Sequence, residues 1–297
     1  MHPLVALLRP HQWIKNGFVF VGLLFGHGWV GEDGERMAVL AVIAFAAFCL
    51  LSSAVYVMND IVDREQDRLH PEKKHRPLAS GAIGIEAAMA LGAACLVGGL
   101  TLSVAMDAMS GGSLTAILGV YLLLNLAYSH GLKHVVVLDV FIIAAGFMLR
   151  LLAGTVGIGI EPSRWLLLCG LMLTLFLGFA KRRAELNALI AESGGHRRVL
   201  DHYTPAMLDQ FITIAAAATV IGYSLYTVSP ETEALHGTPW LIATVPFVLY
   251  GLLRYLFLLH RRGGGGDPAR ELLTDRHLLA AFLGWLALVA LLLGGWL

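Results

Sequence analysis

Residues 56–81 read YVMNDIVDREQDRLHPEKKHRPLASG. They decide the fold because they mark the point at which a long apolar run gives way to charged residues. The preceding run, residues 37–58, is MAVLAVIAFAAFCLLSSAVYVM, which is long enough to cross about 30 Å of lipid as a helix. The stretch at 56–81 holds five acidic and five basic side chains. A helix that leaves a membrane into so much opposed charge predicts a polar site at the membrane surface.

The rest of the chain is apolar as well. Of its 297 residues, 57% are hydrophobic and only 14% are charged. A mean hydropathy of +0.72 is too high for a soluble domain of this size. Because 21 basic residues balance 21 acidic ones, the net charge gives no sign of a nucleic-acid partner. The three cysteines lie in apolar runs without the spacing of a disulfide framework or a zinc site.

Nine apolar windows of about 20 residues predict an all-α integral membrane protein with nine transmembrane helices. None of them alternates as the strands of a membrane barrel do. We expect a single transmembrane catalytic domain over residues 1–297. The windows are residues 14–31, 37–58, 84–106, 113–130, 135–158, 164–181, 207–228, 239–260 and 277–297.

Lysine and arginine fall almost entirely on one side of these helices. Seventeen of them lie in the N-terminal segment and in the connections after even-numbered helices, against only Arg36 and Arg164 on the other side. Basic residues concentrate on the cytoplasmic side of membrane proteins. The N-terminus is therefore predicted to be cytoplasmic and the C-terminus extracytoplasmic, in the cell inner (plasma) membrane, with the active site facing the cytoplasm.

Four polar side chains share the end of the second predicted helix: Asn59, Asp60, Asp63 and Asp67. At 100° per residue, the three carboxylates fall within about 60° of one another. Carboxylates crowded on one face repel each other unless a cation lies between them. Hard oxygen ligands suit Mg²⁺, whose shell phosphate oxygens can complete. We predict that the three aspartates bind Mg²⁺; the alternative is a solvated acidic cap paired with the intervening arginines.

A basic segment, HPEKKHRPLASG, follows the aspartates directly. Its cations would neutralise phosphate groups held on the metal. Lys73 and Arg76 are therefore predicted to be catalytic together with the three aspartates, and Lys74, Tyr56 and Asn59 are predicted to contact the substrate. Anchoring of the chain at the cytoplasmic surface explains the lysines alone, but it does not explain acids and bases together.

Four more candidate substrate contacts, Tyr128, Lys133, Asp139 and Arg150, lie around the fifth window. Asp139 and Arg150 are eleven residues apart, about 20° in angle and about 16 Å along a helix, so they face the same way. An arginine near mid-bilayer costs about 3 kcal/mol on insertion scales, and it should face the bundle interior and a partner. The alternative role for these two residues is a structural ion pair between helices.

Two further basic segments, at the sixth and first predicted helices, supply the remaining candidates. In FAKRRAEL, Lys181 and Glu185 have the i, i+4 spacing of a helical ion pair, with Arg182 beside them. These three are predicted to contact phosphate groups; the alternative is a stop-transfer cluster. At the entry of the first helix, Lys15 and Asn16 are predicted to project toward the substrate.

The pattern Asn-Asp-x-x-Asp-x-x-x-Asp at 59–67, followed by Arg-Pro-Leu-x-Ser-Gly at 76–81, resembles the first aspartate-rich motif of the UbiA-type intramembrane prenyltransferases. Nine helices with charge-rich inner connections after the second and sixth resemble that family too, so the likeness covers nearly the whole chain. The resemblance implies a UbiA-like helical bundle. It also implies a prenyl diphosphate held through Mg²⁺ between two aspartate motifs.

The chain departs from the usual family pattern at the second motif. Typical members carry a further Asp-x-x-x-Asp after the sixth helix, whereas KRRAELNALIAESGGHRRVLDHY at 181–203 lacks that pair and is basic. Several segments resemble a distinct branch, the decaprenyl-phosphate phosphoribosyltransferases. These segments are RPHQWIKN at 9–16, YSHGLKHVVVLDV at 128–140, FMLRLLAG at 147–154, KRRAEL at 181–186 and DHYTPAMLDQF at 201–211.

That branch implies transfer of 5-phosphoribose from phosphoribosyl diphosphate to a polyprenyl (decaprenyl) phosphate for cell-wall arabinan precursor synthesis, with release of diphosphate. The implied cofactor is Mg²⁺, the implied partners are the two substrates and membrane lipid, and a homo-oligomer is compatible with the sequence. The surplus of basic residues fits substrates that bring additional phosphates. Two alternatives stay open: a prenyl-diphosphate-dependent transferase acting on an aromatic or haem acceptor, and a transporter, which would spread polar groups through the membrane depth.

Overall fold

The computed structural model describes residues 2–25, 33–70, 73–191, 198–261 and 268–294. Over these residues the chain is helical and contains no strand, which confirms the predicted all-α class. The α-helices are α1 (Pro3–Leu8), α2 (Phe18–Phe25), α3 (Gly34–Val62), α4 (Arg64–Leu69), α5 (Ile85–Ser110), α6 (Leu114–His130), α7 (Leu138–Ala153), α8 (Arg164–Ala191), α9 (Pro205–Thr227), α10 (Pro230–His236), α11 (Val245–Arg261), α12 (Pro268–Thr274) and α13 (Arg276–Leu293). Short 3₁₀ helices lie at Pro10–Gly17, Lys73–His75, Leu132–His134, Val156–Ile158, Arg198–His202 and Trp240–Thr244.

Seven helical segments in the described residues are long and apolar enough to cross a membrane, so the chain is a multi-pass membrane protein. The segments are Gly34–Val62, Ile85–Ser110, Leu138–Ile158, Arg164–Ala188, Pro205–Thr227, Trp240–Arg261 and Arg276–Leu293. Helix α6 is apolar but shorter. The first predicted window combines a 3₁₀ helix with α2, and its residues 26–31 lie outside the described part of the chain. The count of nine spans and the orientation of the termini stay predictions.

The chain divides into two compact units. The first unit comprises Met1–His130 and Leu149–Pro162, and the second comprises Gly131–Met148 and Ser163–Leu297. The division falls within α7, so Asp139 belongs to the second unit and Arg150 to the first. The two units give two separate sets of neighbours for the candidate residues.

Small residues let α3 and α5 pack closely in the first unit. Ala44 and Ala47 of α3 are fully buried, and a Cβ added to Gly99 of α5 would lie 3.1 Å from the carbonyl oxygen of Ala47. Helices in lipid associate mainly through such close van der Waals contact, because the hydrophobic effect does not drive them together there. Phe48 fills the core beside this contact, edge to face with Tyr121 at 5.1 Å.

The core of the second unit forms where α8 packs against α9 and α7. Gly178 of α8 lies against Val140 of α7, where an added Cβ would be only 2.6 Å from a side-chain methyl. This approach brings the neighbouring polar residues of α7 and α8 within reach of each other. Helix α9 begins as its sequence indicates, because Pro205 occupies the first turn and the Thr204 side chain accepts a hydrogen bond from the N–H of Met207 at 3.2 Å.

The charged stretch after α3 folds back toward the end of that helix. Arg64 Nε donates to the carbonyl of Leu78 at 3.3 Å, and Arg68 Nε donates to the carbonyl of Ala79 at 3.2 Å. Gly81 then turns the chain with φ 79°, a conformation that glycine adopts without steric cost. These contacts hold the segment of Arg-Pro-Leu-x-Ser-Gly sequence beside the helix that carries the aspartates.

Candidate functional site

Two buried carboxylates, those of Asp60 and Asp67, meet on one guanidinium. Asp60 lies in the last turn of α3 and Asp67 lies in α4, and each is only 3% exposed. Nη1 of Arg76 donates to Oδ1 of Asp60 at 3.1 Å and to Oδ2 of Asp67 at 2.6 Å. The two carboxylates are therefore close together, and the arginine occupies the place where their negative charges converge.

A second arginine, Arg9, reaches the same carboxylate from the N-terminal segment. Its Nη2 donates to Oδ1 of Asp60 at 2.5 Å, and its guanidinium lies over the ring of Tyr56, 5.1 Å from the centroid. Nζ of Lys73 lies 4.0 Å from Oδ1 of Asp67. We call Arg9, Asp60, Asp67, Lys73 and Arg76 the Asp60 cluster.

Asp63, the remaining predicted metal ligand, lies between two helices. Helix α3 ends at Val62 and α4 begins at Arg64, so the predicted continuous helix is interrupted at Asp63, which has φ −85° and ψ 2°. Its N–H still donates to the carbonyl of Asn59 at 2.8 Å, which keeps the two helices nearly in register. The side chain of Asp63 is half-buried, whereas those of Asp60 and Asp67 are buried.

The oxygens of this cluster suit a divalent cation that is completed by phosphate. Asp60 and Asp67 are acceptor-only groups when ionised. The guanidiniums of Arg9 and Arg76 supply the positive charge beside them that a metal ion would otherwise supply. In the described residues, no group of three or more His, Cys, Asp or Glu side chains could hold a metal ion by itself. Mg²⁺ commonly binds through one or two carboxylates and takes other ligands from water and substrate phosphates. The donor set therefore fits Mg²⁺, and ligation by the three aspartates stays a prediction.

The other candidates of the first unit differ in their contacts and burial. The amide oxygen of Asn59 accepts a hydrogen bond from the Ser129 hydroxyl at 3.2 Å, which orients the residue that precedes Asp60. Tyr128 and Lys15 are half-buried and Lys74 is exposed. Lys74 is therefore the more accessible of these two lysines.

Arg150 is buried inside the first unit, as its cost in lipid predicts. Its Nε donates to the amide oxygen of Asn16 at 2.7 Å, and Nη2 donates to the Tyr121 hydroxyl at 3.2 Å. The guanidinium also lies over the rings of Phe48 and Tyr121, at 5.4 and 5.0 Å from their centroids. Asn16 is itself buried and donates to Ser52 at 3.2 Å. This network braces the N-terminal segment against α3 and α7.

The second unit holds its own buried ion pair, between Asp139 of α7 and Arg182 of α8. Nε of Arg182 donates to Oδ2 of Asp139 at 2.7 Å, and the side chains are 1% and 0% exposed. Nη1 of Arg182 donates to Glu185 at 2.5 Å. The Tyr203 hydroxyl donates to Oδ1 of Asp139 at 3.0 Å. We call these four residues the Asp139 cluster. Asp139 and Arg182 form an ion pair between helices, which was the alternative role considered for Asp139.

Tyr203 also stabilises an unusual backbone conformation. Val137, just before α7, has φ 68°, which a β-branched residue rarely adopts, and its N–H donates to the Tyr203 hydroxyl at 2.6 Å. Burial raises the pKa of Tyr203 to about 12. The hydroxyl therefore stays protonated at neutral pH and can donate to Asp139 while accepting from Val137.

The two lysines predicted near the second cluster are less enclosed. Lys133 lies in the 3₁₀ helix Leu132–His134 and Lys181 lies in α8, and both side chains are half-buried. Glu185 pairs with Arg182, three residues before it, at the i, i+3 spacing; the sequence had favoured Lys181, four residues before it.

Three residues that contact predicted site residues lie outside the predicted set: Arg9, Ser129 and Tyr203. Arg9 is 51 residues from Asp60, Ser129 is 70 residues from Asn59, and Tyr203 is 64 residues from Asp139. Local spacing carries no information about pairs so far apart. The available signals were compositional: Arg9 was a basic residue at a membrane entry, and Tyr203 lay within the DHYTP segment.

Comparison with known proteins places this arrangement in a family. Residues 18–272 match the model of the UbiA prenyltransferase family. The chain is 37% identical over 288 residues to the decaprenyl-phosphate phosphoribosyltransferase of Corynebacterium glutamicum, covering 95% of this chain and 84% of that protein. It is 34% identical over 294 residues to the protein of the same name from Mycolicibacterium smegmatis, covering 96% and 91%.

A solved structure agrees on the fold. A UbiA homolog from Archaeoglobus fulgidus bound to GPP and Mg²⁺ superposes with a TM-score of 0.67, covering 98% of this chain and 97% of that one. At 19% sequence identity, this likeness shows the helical fold alone.

Proposed function

Because this chain belongs to the UbiA prenyltransferase family, we propose that it transfers 5-phosphoribose from phosphoribosyl diphosphate to a polyprenyl phosphate and releases diphosphate. The relatives from C. glutamicum and M. smegmatis are named for this transfer to decaprenyl phosphate. In the proposed setting the site faces the cytoplasm at the inner membrane, and the product serves cell-wall arabinan synthesis.

One observation carries the proposal: the Asp60 cluster joins two buried acids to three basic side chains that remain partly exposed. Asp60 and Asp67 are buried, whereas the side chains of Arg9, Arg76 and Lys73 are 21%, 30% and 46% exposed. Buried carboxylates beside partly exposed basic side chains can bind a metal–diphosphate complex, because the basic side chains can contact its phosphate oxygens.

Asp60, Asp67 and the half-buried Asp63 would hold Mg²⁺ in this proposal. Bound Mg²⁺ would neutralise the negative charge that develops on the departing diphosphate. Asn59, oriented by Ser129, would fix the position of the Asp60 carboxylate. Arg76 and Lys73 would bind non-bridging oxygens of the diphosphate, so that the charge of the leaving group is met by fixed donors.

The transfer itself needs positioning more than proton transfer. An oxygen of the lipid phosphate, already anionic at neutral pH, attacks C1 of the ribose. The bond from C1 to the diphosphate oxygen breaks, and its electron pair leaves with diphosphate. Holding both substrates in line supplies much of the rate, so no general base is required. Attack opposite the leaving group predicts inversion at C1.

The additional phosphates would be bound by basic residues outside the Asp60 cluster. Lys74 is exposed, and Lys15, Lys133 and Lys181 are half-buried. Arg182 is sealed in the Asp139 cluster, and its proposed contribution is to hold α7 and α8 together near Lys181. The sugar 5-phosphate and the lipid phosphate are the anions proposed for these lysines.

A label-transfer experiment tests the reaction. Purified protein in detergent receives Mg²⁺, decaprenyl phosphate and phosphoribosyl diphosphate labelled in the ribose, and label is counted in the organic phase. We expect label in the extractable lipid, loss of the transfer with EDTA, and its return with excess Mg²⁺.

A parallel reaction separates the rival activity. Here the protein receives geranyl diphosphate with 4-hydroxybenzoate or haem in place of the two proposed substrates. Consumption of the prenyl diphosphate, with no label in lipid from phosphoribosyl diphosphate, would replace the proposed function by aromatic or haem prenylation.

A further inference from the structure

The N-terminal segment places Arg9 in a conformation that an L-residue rarely adopts. Arg9 separates α1 from the 3₁₀ helix Pro10–Gly17, with φ 53° and ψ 58°. This left-handed region is sterically unfavourable for any residue with a Cβ. A residue held there despite its side chain must be kept in place by contacts on either side of it.

Those contacts all lead to the helix that carries Asp60 or to the loop that follows it. The Trp13 indole donates to the Ser53 hydroxyl at 3.0 Å, and that hydroxyl donates to the carbonyl of Leu8 at 2.9 Å. Leu7 is fully buried in a cluster with Val57 and Leu78. The segment is therefore anchored immediately before and after Arg9, so that its guanidinium is directed to the end of α3.

The contact that Arg9 makes there duplicates one that Asp60 already has. Arg9 Nη2 and Arg76 Nη1 both donate to Oδ1 of Asp60, at 2.5 and 3.1 Å. Arg76 is also bound to Asp67 at 2.6 Å, so it remains paired if it leaves Asp60. Within the described part of the chain Arg9 contacts no second carboxylate, and its guanidinium lies over the ring of Tyr56. Arg9 is thus the cation whose partner changes when Asp60 binds something else.

A divalent cation on Asp60 would meet strong repulsion from two guanidiniums on the same oxygen. If Arg9 turns from Asp60 to a diphosphate oxygen, that repulsion becomes an attraction to the anion that the metal carries. The exposed fifth of the Arg9 side chain gives it access to such an anion. The geometry points to Arg9 as a diphosphate-binding residue that exchanges Asp60 for substrate, so that metal and diphosphate bind tightly only together. This inference rests on the proposed function and names a residue of its site.

Metal binding tests the exchange without any turnover. Mn²⁺ replaces Mg²⁺ as an electron-spin-resonance probe, and its affinity for the full-length protein in detergent is measured alone, with inorganic diphosphate and with ribose 5-phosphate. Diphosphate should raise the Mn²⁺ affinity of the wild-type protein by about tenfold or more, since binding of the two ligands is coupled. Ribose 5-phosphate should raise it by less than about twofold.

The variants separate charge from shape. Arg9→Gln should bind Mn²⁺ alone about fivefold more tightly than wild type, and the gain from diphosphate should fall to about threefold or less. Arg9→Lys keeps the charge and should bind Mn²⁺ alone as weakly as wild type. Arg64→Gln is the matched control, because Arg64, at the start of α4, has a similar side-chain exposure of 25% and contacts the carbonyl of Leu78. Its metal affinity should equal that of wild type.

Three other outcomes would contradict the role of Arg9, the choice of anion or the metal site. Equal Mn²⁺ affinity and equal diphosphate gain in Arg9→Gln and wild type would overturn the role of Arg9 and leave the proposed reaction intact. A gain from ribose 5-phosphate in place of diphosphate would overturn the choice of anion. Unchanged Mn²⁺ binding in Asp60→Asn would instead remove the metal from Asp60, and with it both this inference and the proposed metal site.

Discussion

In the Asp60 cluster buried acids are paired with partly exposed cations, whereas in the Asp139 cluster the acid and its arginine are both sealed. The side chains of Arg9 and Arg76 are 21% and 30% exposed, and that of Arg182 is 1% exposed. A sealed ion pair must be complete once the protein folds, because either charge alone is costly to bury. A partly exposed cation can change partners. The comparison separates a pair that stabilises the fold from the cluster that we propose as the ligand site.

The largest effect is expected from a substitution in the Asp60 cluster. Asp60→Asn should lower phosphoribosyl transfer by about 10³-fold, because it removes a proposed metal ligand at the leaving group. Its apparent unfolding midpoint should change little, since Arg76 keeps Asp67 as a partner. Transfer of label into lipid measures the first effect and thermal unfolding in detergent the second.

Glu65→Gln is the matched control for that variant. Glu65 lies between the aspartates, but its side chain is 73% exposed and its partners are Arg64 and Arg68. Transfer by this variant should stay within about twofold of wild type, as expected for an exposed pair. Full activity of Asp60→Asn would remove the Asp60 cluster from the reaction.

Next in size, Asp139→Asn should lower the free energy of unfolding by about 3 kcal/mol, because it leaves the buried Arg182 short of a counter-charge. Denaturant titration of the solubilised protein measures the loss. Asp209→Asn is the comparison, because Asp209 pairs with Arg183, the next residue of α8, and is 34% exposed. It should cost less than about 1 kcal/mol. Equal losses would mean that burial does not distinguish the two pairs.

Tyr203→Phe should destabilise the Asp139 cluster less than Asp139→Asn does. Removing the hydroxyl takes one donor from Asp139 and leaves the N–H of Val137 without that acceptor, so about 1–2 kcal/mol of stability should be lost at pH 7. The pKa of Tyr203 is raised from 10.0 to about 12 in the folded protein. This contribution is therefore complete below pH 10 and is lost as the pH rises through about 12. The stability difference from wild type should shrink over that window; a constant difference would contradict it.

The smallest effect concerns a third pair, Arg254 with Asp275, at the start of α13. Hydrogen bonding to Arg254 is the main cause that lowers the pKa of Asp275 from 3.8 to about 2. A lowered pKa stabilises the fold above pH 3.8, and that contribution is lost as the pH falls toward 2. The apparent unfolding midpoint should therefore fall less between pH 4 and pH 2 in Asp275→Asn than in wild type. An equal fall would show that this pair is not coupled to folding.

The sequence predicted the acids of both clusters and grouped Lys73 and Arg76 with Asp60 and Asp67, but it did not pair Asp60 with Arg9 or Asp139 with Arg182. Hydropathy located α3 and the charged segment that follows it, since apolar length and a membrane exit are local properties. Periodicity alone does not resolve the interruption at Asp63. It also does not decide that Glu185 pairs with Arg182, because residues three and four positions apart are both neighbours on a helix. Arg9 was missed because its left-handed backbone and its anchors on α3 belong to contacts distant in sequence.

By itself, the sequence determined that this protein is helical and embedded in lipid, because each apolar window must satisfy its own backbone hydrogen bonds there. It also determined where acids and bases are concentrated. Only the tertiary structure decided that Arg182 is sealed against Asp139 while Arg9 and Arg76 share Asp60 at a partly exposed edge. Whether a charge can exchange its partner depends on burial, and burial is set by helices that are far apart in the chain.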